Sequence, residues 1–328
     1  MKRLASSRPC FTPRLPDDKR PTYPDALPFI FWHGLIPTIQ TALWSTLFAQ
    51  LCLPIYTSVI GSWQAEGWSE KAFVSASLTL VTMSMFFGYN SIYLTIERLR
   101  LLEHYRIGRT PGQQKSTAAN LSFTLIRAAI GKALINPLLV WYVLHPIMIA
   151  CGSPSFDAPV PSTIVMAGQF SIAYWFNEFF FYWGHRLLHA ERLYATFHKE
   201  HHNYTGTVGF AAEHAGPVEQ VFSNILPSIG GCLFFGRHPF ILLVWITMRL
   251  HNTYDGHSGY CFSNTLLGRI GVLSAASGYH DYHHTFSFRG NFGHPLLDYL
   301  CGTMDYWLQD GGQVGYVESQ LKCEGKGE

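Results

Sequence analysis

Four long apolar stretches limit what this chain of 328 residues can fold into. Each is long enough for a transmembrane helix, which needs about 20 mostly apolar residues to cross a bilayer. Only 13% of the residues are charged, against about 25% in an average soluble protein, and so few charges cannot keep a large apolar core in water. We therefore expect an all-α integral membrane protein with about four spans, at 28–60, 72–96, 121–150 and 162–183.

Basic residues are distributed unevenly among the segments between these spans. The N-terminal tail holds six Lys and Arg residues and segment 97–120 holds five, whereas 61–71 has only Lys71 and 151–161 has none. Cytoplasmic segments of membrane proteins carry the excess of basic residues. The pattern predicts four spans with both termini on the cytoplasmic side.

Composition divides the chain into four regions. Residues 1–27 form a basic, proline-rich tail that we expect to be flexible, and 28–184 hold the spans. Residues 185–308 hold most of the histidines and an apolar stretch, interrupted by glycine and proline, that predicts a membrane-associated helical hairpin. Residues 309–328 are glycine-rich and predict a loose tail. The net charge is only +2 and no dense basic stripe is present, so the sequence gives no sign of nucleic-acid binding.

Histidine is concentrated in a short part of the chain, with 12 of the 16 between positions 185 and 284. Three clusters have helical spacing: HRLLH from position 185, HKEHH from 198 and HDYHH from 280. Residues three or four apart share a helix face, so each cluster presents two or three imidazoles to one point. Three such clusters so close together are not expected from histidines that only fill a core. They predict a metal site.

The number and type of ligands narrow the choice of metal. A tetrahedral zinc site closes with four ligands, and the clusters supply eight imidazoles, so two metal ions are the simpler interpretation. Nitrogen ligation suits iron, copper, nickel or zinc, and the lack of clustered carboxylates disfavours magnesium and calcium. Four acidic residues are placed along the chain to accept the outer ring N–H of a ligating histidine: Glu178, Glu200, Asp255 and Asp281.

These clusters and the segments around them resemble the membrane fatty acid hydroxylase superfamily, whose members carry HxxxH, HxxHH and a second HxxHH after a membrane hairpin. The resemblance covers about residues 178–303. Three further segments are similar to the sterol desaturase and C4-methylsterol oxidase branch: FYW before His185, DGHSGY at 255–260 and NFG at 291–293.

The resemblance implies a di-iron centre on the cytosolic face of the endoplasmic reticulum membrane. Such enzymes use O2, and electrons often supplied by cytochrome b5 and its reductase, to oxidise C–H bonds of lipids. The implied substrate is a sterol or related triterpenoid, as in a C4-methylsterol monooxygenase. The alternatives are hydroxylation or desaturation of a sterol side chain, a sterol ring, a sphingoid base or a fatty acyl chain. The implied metal ligands and catalytic residues are His185, His189, His198, His201, His202, His257, His280, His283 and His284.

The chain departs from the pattern of this branch at a few positions. The segment AEHAGPVE resembles the branch's AEYAHPLE, but His214 replaces the usual tyrosine and Gly216 the usual histidine. Glu178 stands for an aspartate and Asn252 for a glutamate. The missing histidine makes His214 and His251 candidates to bind metal in its place, and it leaves the particular sterol reaction open.

Three other functions fit parts of the pattern. A membrane metal transporter would place its ligands within the spans, near the bilayer midplane, whereas here the clusters follow the last predicted span. An intramembrane metalloprotease needs HExxH, which the sequence lacks. The third alternative is a family member without oxidative chemistry, and the glycine at position 216 is the reason to retain it.

Overall fold

The computed structural model shows a chain built almost entirely from helices. It describes residue 15 and residues 17–274, 277–286 and 289–324, and within them the only strand-like pairing is an isolated bridge between Arg106 and Tyr260. Short 3-10 turns lie at Asp17–Lys19, Glu103–Tyr105, His201–Asn203 and Gly209–Glu213. The helices are α1 (Ala26–Ala65), α2 (Glu70–Arg98), α3 (Pro111–Ala150), α4 (Thr163–Leu188), α5 (191–198), α6 (217–234), α7 (Pro239–Gly256), α8 (Leu266–Arg269), α9 (Ser277–Phe286), α10 (Pro295–Cys301), α11 (Asp305–Gln309) and α12 (Gly312–Glu324).

Three helices, α1, α2 and α3, are long and apolar enough to cross a membrane. They have 40, 29 and 40 residues, so at about 1.5 Å per residue each exceeds the roughly 30 Å of the hydrocarbon core. Many of their outward side chains are large and apolar, including Leu51, Ile126 and Leu134, which are 74%, 62% and 62% exposed. Lipid, rather than water, suits such a surface. The expected all-α membrane protein is confirmed.

The fourth predicted span lies in α4, which continues past it to Leu188. This helix has 26 residues, but it mixes apolar residues with Gln169, Asn177 and Glu178, and it is not one of the three helices that are apolar enough. The fourth crossing therefore stays a prediction. Helix α3, by contrast, begins well before the predicted third span, because Thr110 and Gln113 form a capping box that starts it at Pro111.

Helices α6 and α7 lie where the hairpin was predicted, and its association with the membrane stays a prediction. Helix α7 lies at the centre of the helical bundle. Its residues Ile241 and Trp245 are 0% and 1% exposed. They belong to the same apolar cluster as Phe73 of α2 and Phe170 of α4. The first half of α7 thus has protein on several sides, which explains why residues 239–246 are all apolar.

Glycines in α6 allow this helix to pack closely on α4. A Cβ at Gly230 would lie 2.3 Å from the ring of Phe176, and a Cβ at Gly231 would lie 2.6 Å from the Cα of Ala173. The glycines that interrupt the apolar stretch are therefore required for close packing of α6 on α4.

Two basic residues within α3 pair with acidic residues of the histidine-rich region. Lys132 lies 2.8 Å from Glu213, and both side chains are largely buried. The hydroxyl of Tyr254 donates to the same carboxylate at 2.6 Å. Arg127 forms an ion pair with Glu200. As expected of charges in a predicted span, these side chains face protein, and they attach α3 to the segment that carries the second histidine cluster.

The C-terminal residues do not form the predicted loose tail. They form α12, which packs along α9 with Tyr316 buried and its hydroxyl donating to Asp281 at 2.6 Å. The glycines that suggested a loose tail instead make the tight turn before this helix, where Gly311 and Gly312 have positive φ values of 84° and 64°. Helix formation here results from packing on α9, which composition does not reveal.

The predicted flexible tail at the N-terminus is described only in part, since residues 1–14 and 16 lie outside the described ranges. Its last residues contact the C-terminal region. Tyr23 donates a hydrogen bond to Asp305 at 2.5 Å, and Tyr299 donates to the carbonyl of Pro24 at 2.9 Å. Residues 23 and 24 are thus held against the C-terminal region, and helix α1 starts shortly after them, at Ala26.

Candidate metal centre

All nine predicted histidines lie together, at and beyond the C-terminal ends of α4 and α7 and along α9. They form two groups, within each of which the candidate ligand atoms lie within 4.8 Å of one another. All are buried except His280, which is half-buried. The first group consists of His185, His189, His198, His202 and His283, and the second of His201, His257, His280 and His284.

Each HxxHH cluster is divided between the two groups. Its first and last histidines are four residues apart, about one helical turn, and share a face, whereas the middle histidine projects elsewhere. The shared clusters hold the two groups side by side. In HKEHH, His198 and His202 join the first group and His201 the second, while in HDYHH, His280 and His284 join the second group and His283 the first.

The ring nitrogens of the first group converge on one point. The Nε2 atom of His198 lies 3.0 Å from Nε2 of His185, 3.0 Å from Nε2 of His189 and 3.1 Å from Nε2 of His202. Nitrogens bound to one ion at about 2.1 Å, with angles between 90° and 109°, are roughly 3.0–3.4 Å apart. The observed separations are those of nitrogens that share a metal ion.

In the second group the ring nitrogens also lie close together, but it has four histidines instead of five. The Nε2 atoms of His257 and His280 are 2.8 Å apart, and those of His280 and His284 are 3.2 Å apart. The two groups are adjacent, since the ring centres of His201 and His202 are 5.6 Å apart. The arrangement therefore fits two neighbouring metal ions with imidazole ligands.

Six of the nine histidines have an oxygen acceptor next to the outer Nδ1 atom. A backbone carbonyl or carboxylate accepts only, so it fixes the proton on Nδ1 and leaves the Nε2 lone pair for a metal. His198 meets a carboxylate, Oε1 of Glu219, at 2.9 Å. Five others meet backbone carbonyls: His185 with Phe292 at 2.6 Å, His201 with His214 at 3.3 Å, His257 with Thr253 at 2.8 Å, His283 with Gly290 at 2.8 Å and His284 with Tyr204 at 3.0 Å.

Burial keeps the clustered imidazoles neutral. Burial first, and neighbouring histidines second, lower the pKa of His198, His201 and His202 well below the usual value. Burial also lowers the pKa of His257 to about 3. Because neutral imidazole is the form that binds metal ions, the groups are prepared for ligation.

The acidic residues that the sequence suggested as partners of these histidines mostly bind other groups. Glu178 accepts from the amide of Asn177 at 3.0 Å, and Glu200 pairs with Arg127. Asp255 accepts from the hydroxyl of Tyr93 and from a backbone N–H.

Asp281 and Glu219 are closer to the predicted role. Asp281 acts electrostatically on His284, while it accepts hydrogen bonds from the backbone N–H and hydroxyl of Thr207 at 2.5 and 2.7 Å. Glu219, which contacts His198 directly, was missed. It is the last residue of the AEHAGPVE segment, and that segment's resemblance to the family was the available signal.

The two candidate replacements for the missing histidine lie outside both groups. Nδ1 of His214 is 2.7 Å from the hydroxyl of Thr124, and only the backbone carbonyl of His214 reaches a clustered histidine. Nε2 of His251 is 2.8 Å from the carbonyl of Val272. In the described part of the chain, neither side chain joins a histidine group.

Comparison with known proteins agrees with this geometry. The sequence profile of the fatty acid hydroxylase family matches residues 170–303, which include every clustered histidine. No solved structure matches the chain.

Similar relatives include a putative methylsterol monooxygenase of Dictyostelium discoideum, 30% identical over 72% of this chain and 86% of the relative. Methylsterol monooxygenase 2-2 of Arabidopsis thaliana is 30% identical over 68% and 83%. A very-long-chain aldehyde decarbonylase of Oryza sativa subsp. indica is 31% identical over 74% and 90%. The chain therefore belongs to the fatty acid hydroxylase family and is an oxidoreductase, and its buried histidine groups fit a metal site.

Proposed function

We propose that this protein is a membrane-bound di-iron monooxygenase that uses O2 to oxidise a C–H bond of a sterol or related triterpenoid, as a C4-methylsterol monooxygenase does. The observation that carries the proposal is the pair of adjacent, buried histidine groups with nitrogen spacing suited to two ions. The relatives named as methylsterol monooxygenases support the sterol. The aldehyde decarbonylase relative supports oxidation of another lipid as the alternative.

The first histidine group would hold one iron ion and the second the other. Iron suits a site of imidazole nitrogens. When bound, it supplies the activation of O2 that oxidation of an aliphatic C–H bond requires and that no amino-acid side chain provides. The second group offers four imidazoles, one of them on the half-buried His280, so this is the side on which the centre is more accessible.

The residues around the groups position the ligands and exclude water. The carbonyl of Phe292 holds the ring of His185, and Glu219 holds that of His198. The side chain of Phe292 is 1% exposed, and its ring centre lies 5.1 Å from that of His189. An apolar ring in this position keeps bulk water from the first group, as an oxidative site needs.

We place the histidine groups and both termini on the cytosolic side of the endoplasmic reticulum membrane. The basic residues of the N-terminal tail and of segment 97–120 support this orientation, and Arg98 and Arg100, at the end of α2, are exposed. Apolar substrate then enters from the bilayer. Electrons come from a separate donor on the cytosolic side, such as cytochrome b5 and its reductase.

The test is incorporation of labelled oxygen by the purified, iron-loaded protein. We expect a 4,4-dimethylsterol, supplied with ¹⁸O2, cytochrome b5 and its reductase, to gain an ¹⁸O atom detectable by mass spectrometry. His284→Ala, within the second group, loses this product, and His251→Ala, outside both groups, retains it. Iron-loaded protein that labels no sterol, sphingoid base or fatty acyl lipid would contradict the proposal.

A further inference from the structure

Helices α4 and α7 each carry polar side chains on a face that leads to a clustered histidine. Positions 174, 178, 181 and 185 share one face of α4, and 249, 252, 253 and 256 share one face of α7. The two faces meet. Nε of Arg249 donates to Oδ1 of Asn177 at 3.0 Å, and its guanidinium lies 5.8 Å from the ring centre of Phe181. We call Tyr174, Glu178, Arg249 and Asn252 the polar face.

The polar face is accessible although it lies next to the core. Asn252 is exposed, and Glu178 and Arg249 are half-buried. Two turns earlier on the same side of α7, Trp245 is only 1% exposed. Accessible surface on this side of α7 is thus confined to the two turns between the apolar core and the second histidine group.

Several groups of the polar face have unused hydrogen-bonding capacity. A guanidinium has five N–H donors, and Arg249 uses one on Asn177 and one on the hydroxyl of Thr253, at 2.5 Å. None of the ion pairs within the described ranges includes Arg249. Within the described residues, Glu178 accepts one hydrogen bond, from the Asn177 amide.

Two further members of the polar face have no hydrogen bond in the described part of the structure. These are the hydroxyl of Tyr174, on which the charges of Glu178 and Arg249 both act, and the side-chain amide of Asn252. A cation and a carboxylate that lie near each other without direct pairing leave their remaining donor and acceptor sites free for a group from outside the protein. The polar face therefore lacks a partner.

We infer that this partner is the hydroxyl group of a neutral lipid substrate. Arg249 and Glu178 together carry no net charge. The attraction of a free carboxylate to Arg249 would therefore be offset by its repulsion from Glu178. A hydroxyl has one donor and two acceptor sites, and it suits both residues by donating to Glu178 and accepting from Arg249 or Asn252. The inference rests on the proposed oxidase function and narrows its substrates to lipid alcohols, in preference to free fatty acids.

The polar face is also connected to the second histidine group. Thr253 contacts both the polar face and the second group. Its hydroxyl accepts from Arg249, and its carbonyl accepts from Nδ1 of His257 at 2.8 Å. The guanidinium thus reaches Thr253, which lies about one helical turn, roughly 6 Å along the axis, before His257. A lipid held here by its hydroxyl presents carbons only a few bonds away from that hydroxyl to the metal centre.

The test compares the binding of a lipid alcohol with that of an analogue that cannot donate. The probes are a radiolabelled 4,4-dimethyl-3-hydroxysterol and its 3-O-methyl ether, bound to iron-loaded, full-length protein in nanodiscs. We expect the wild type to bind the alcohol about 10-fold more tightly than the ether, because the ether leaves Glu178 without its donor. Glu178→Gln and Arg249→Gln reduce this preference to about threefold or less, with iron content unchanged.

Two matched variants separate recognition from folding. Glu191→Gln, in the exposed segment after α4, keeps the full preference. Asn252→Ala, at an exposed position, weakens alcohol binding even if the variants of the half-buried Glu178 and Arg249 fail to fold. Equal binding of alcohol and ether by the wild type, an unchanged preference in the variants that fold, or tighter binding of a free fatty acid would overturn the inference. A protein that prefers the alcohol but oxidises no lipid would contradict the proposed function and leave this inference standing.

Discussion

Glu219 is buried against a clustered histidine, and removing its charge tests how the chain prepares its ligands. Oε1 of Glu219 lies 2.9 Å from Nδ1 of His198, and the two side chains are 4% and 0% exposed. Burial raises the pKa of the Glu219 carboxyl to about 9 in the metal-free chain. The positive charge of a bound ion would lower this pKa again, so the carboxylate is the form expected beside His198 in the metal-loaded centre. In Glu219→Gln the amide oxygen can take the same place without a charge. A hydrogen bond to a charged acceptor contributes about 1.5–3 kcal/mol and a neutral one about 1 kcal/mol. The variant therefore loses about 1–2 kcal/mol of the free energy that holds the His198 ring in place.

About 1.4 kcal/mol of binding free energy corresponds to a tenfold change in affinity. We therefore expect Glu219→Gln to lower the metal affinity of the first group about 5- to 30-fold. Glu219→Ala leaves the ring N–H without an acceptor and is expected to lose about 10- to 100-fold. Competition with a chelator of known affinity, on purified protein, measures both effects. Glu66→Gln, at an exposed position directly after α1, is the control. Affinities equal to the wild type in both Glu219 variants would refute the positioning role.

Three other substitutions test the supports of the site. Lys132→Met leaves Glu213 buried without its cation and should destabilise the protein by about 3–5 kcal/mol, measured by unfolding in detergent. Gly290→Ala should lower metal occupancy of the first group, measured by metal analysis, because its φ is +102° and a Cβ would lie 1.9 Å from the carbonyl oxygen of Thr303. Tyr316→Phe removes a hydrogen bond from α12 to a buried carboxylate on α9 and should lower stability by about 1.5–3 kcal/mol, measured as a shift in the unfolding midpoint.

Each of these substitutions has a matched control. The double variant Lys132→Met/Glu213→Gln should recover part of the lost stability, because it leaves no unpaired charge. Gly61→Ala, where a Cβ has nothing within 4 Å, should leave metal occupancy unchanged. Glu318→Gln, on the exposed side of α12, should leave stability unchanged. A single variant that behaves like its control would contradict the role given to that residue.

The ligands could be predicted from the sequence because helical spacing is a local property. Histidines three or four residues apart share a face in any helix, and this spacing predicted eight of the nine histidines that lie in the two groups. The ninth, His257, was implied only by the family resemblance. Their division between the groups could not be predicted. It depends on the short turn at His201–Asn203, where neighbouring side chains diverge, and on contacts between segments distant along the chain.

The supporting residues were harder to predict for the same reason. Closeness in sequence suggested Glu178 and Asp255 as partners of ligands, but their side chains bind Asn177 and Tyr93. Glu219 reaches His198 only because α6 begins beside α5. Backbone carbonyls, which hold most of the Nδ1 atoms, have no sequence signature at all. The C-terminal helix was missed because its stability comes from packing against α9.

The central claim is that each histidine group holds its own metal ion, and iron content per chain tests it most directly. The wild type, His189→Ala in the first group, His257→Ala in the second and His251→Ala outside both should be purified from iron-supplemented cells and measured together. The account predicts about two iron ions in the wild type and in His251→Ala, and about one in each of the other variants. No iron, or a single tightly bound zinc ion that persists in the His189 and His257 variants, would contradict it.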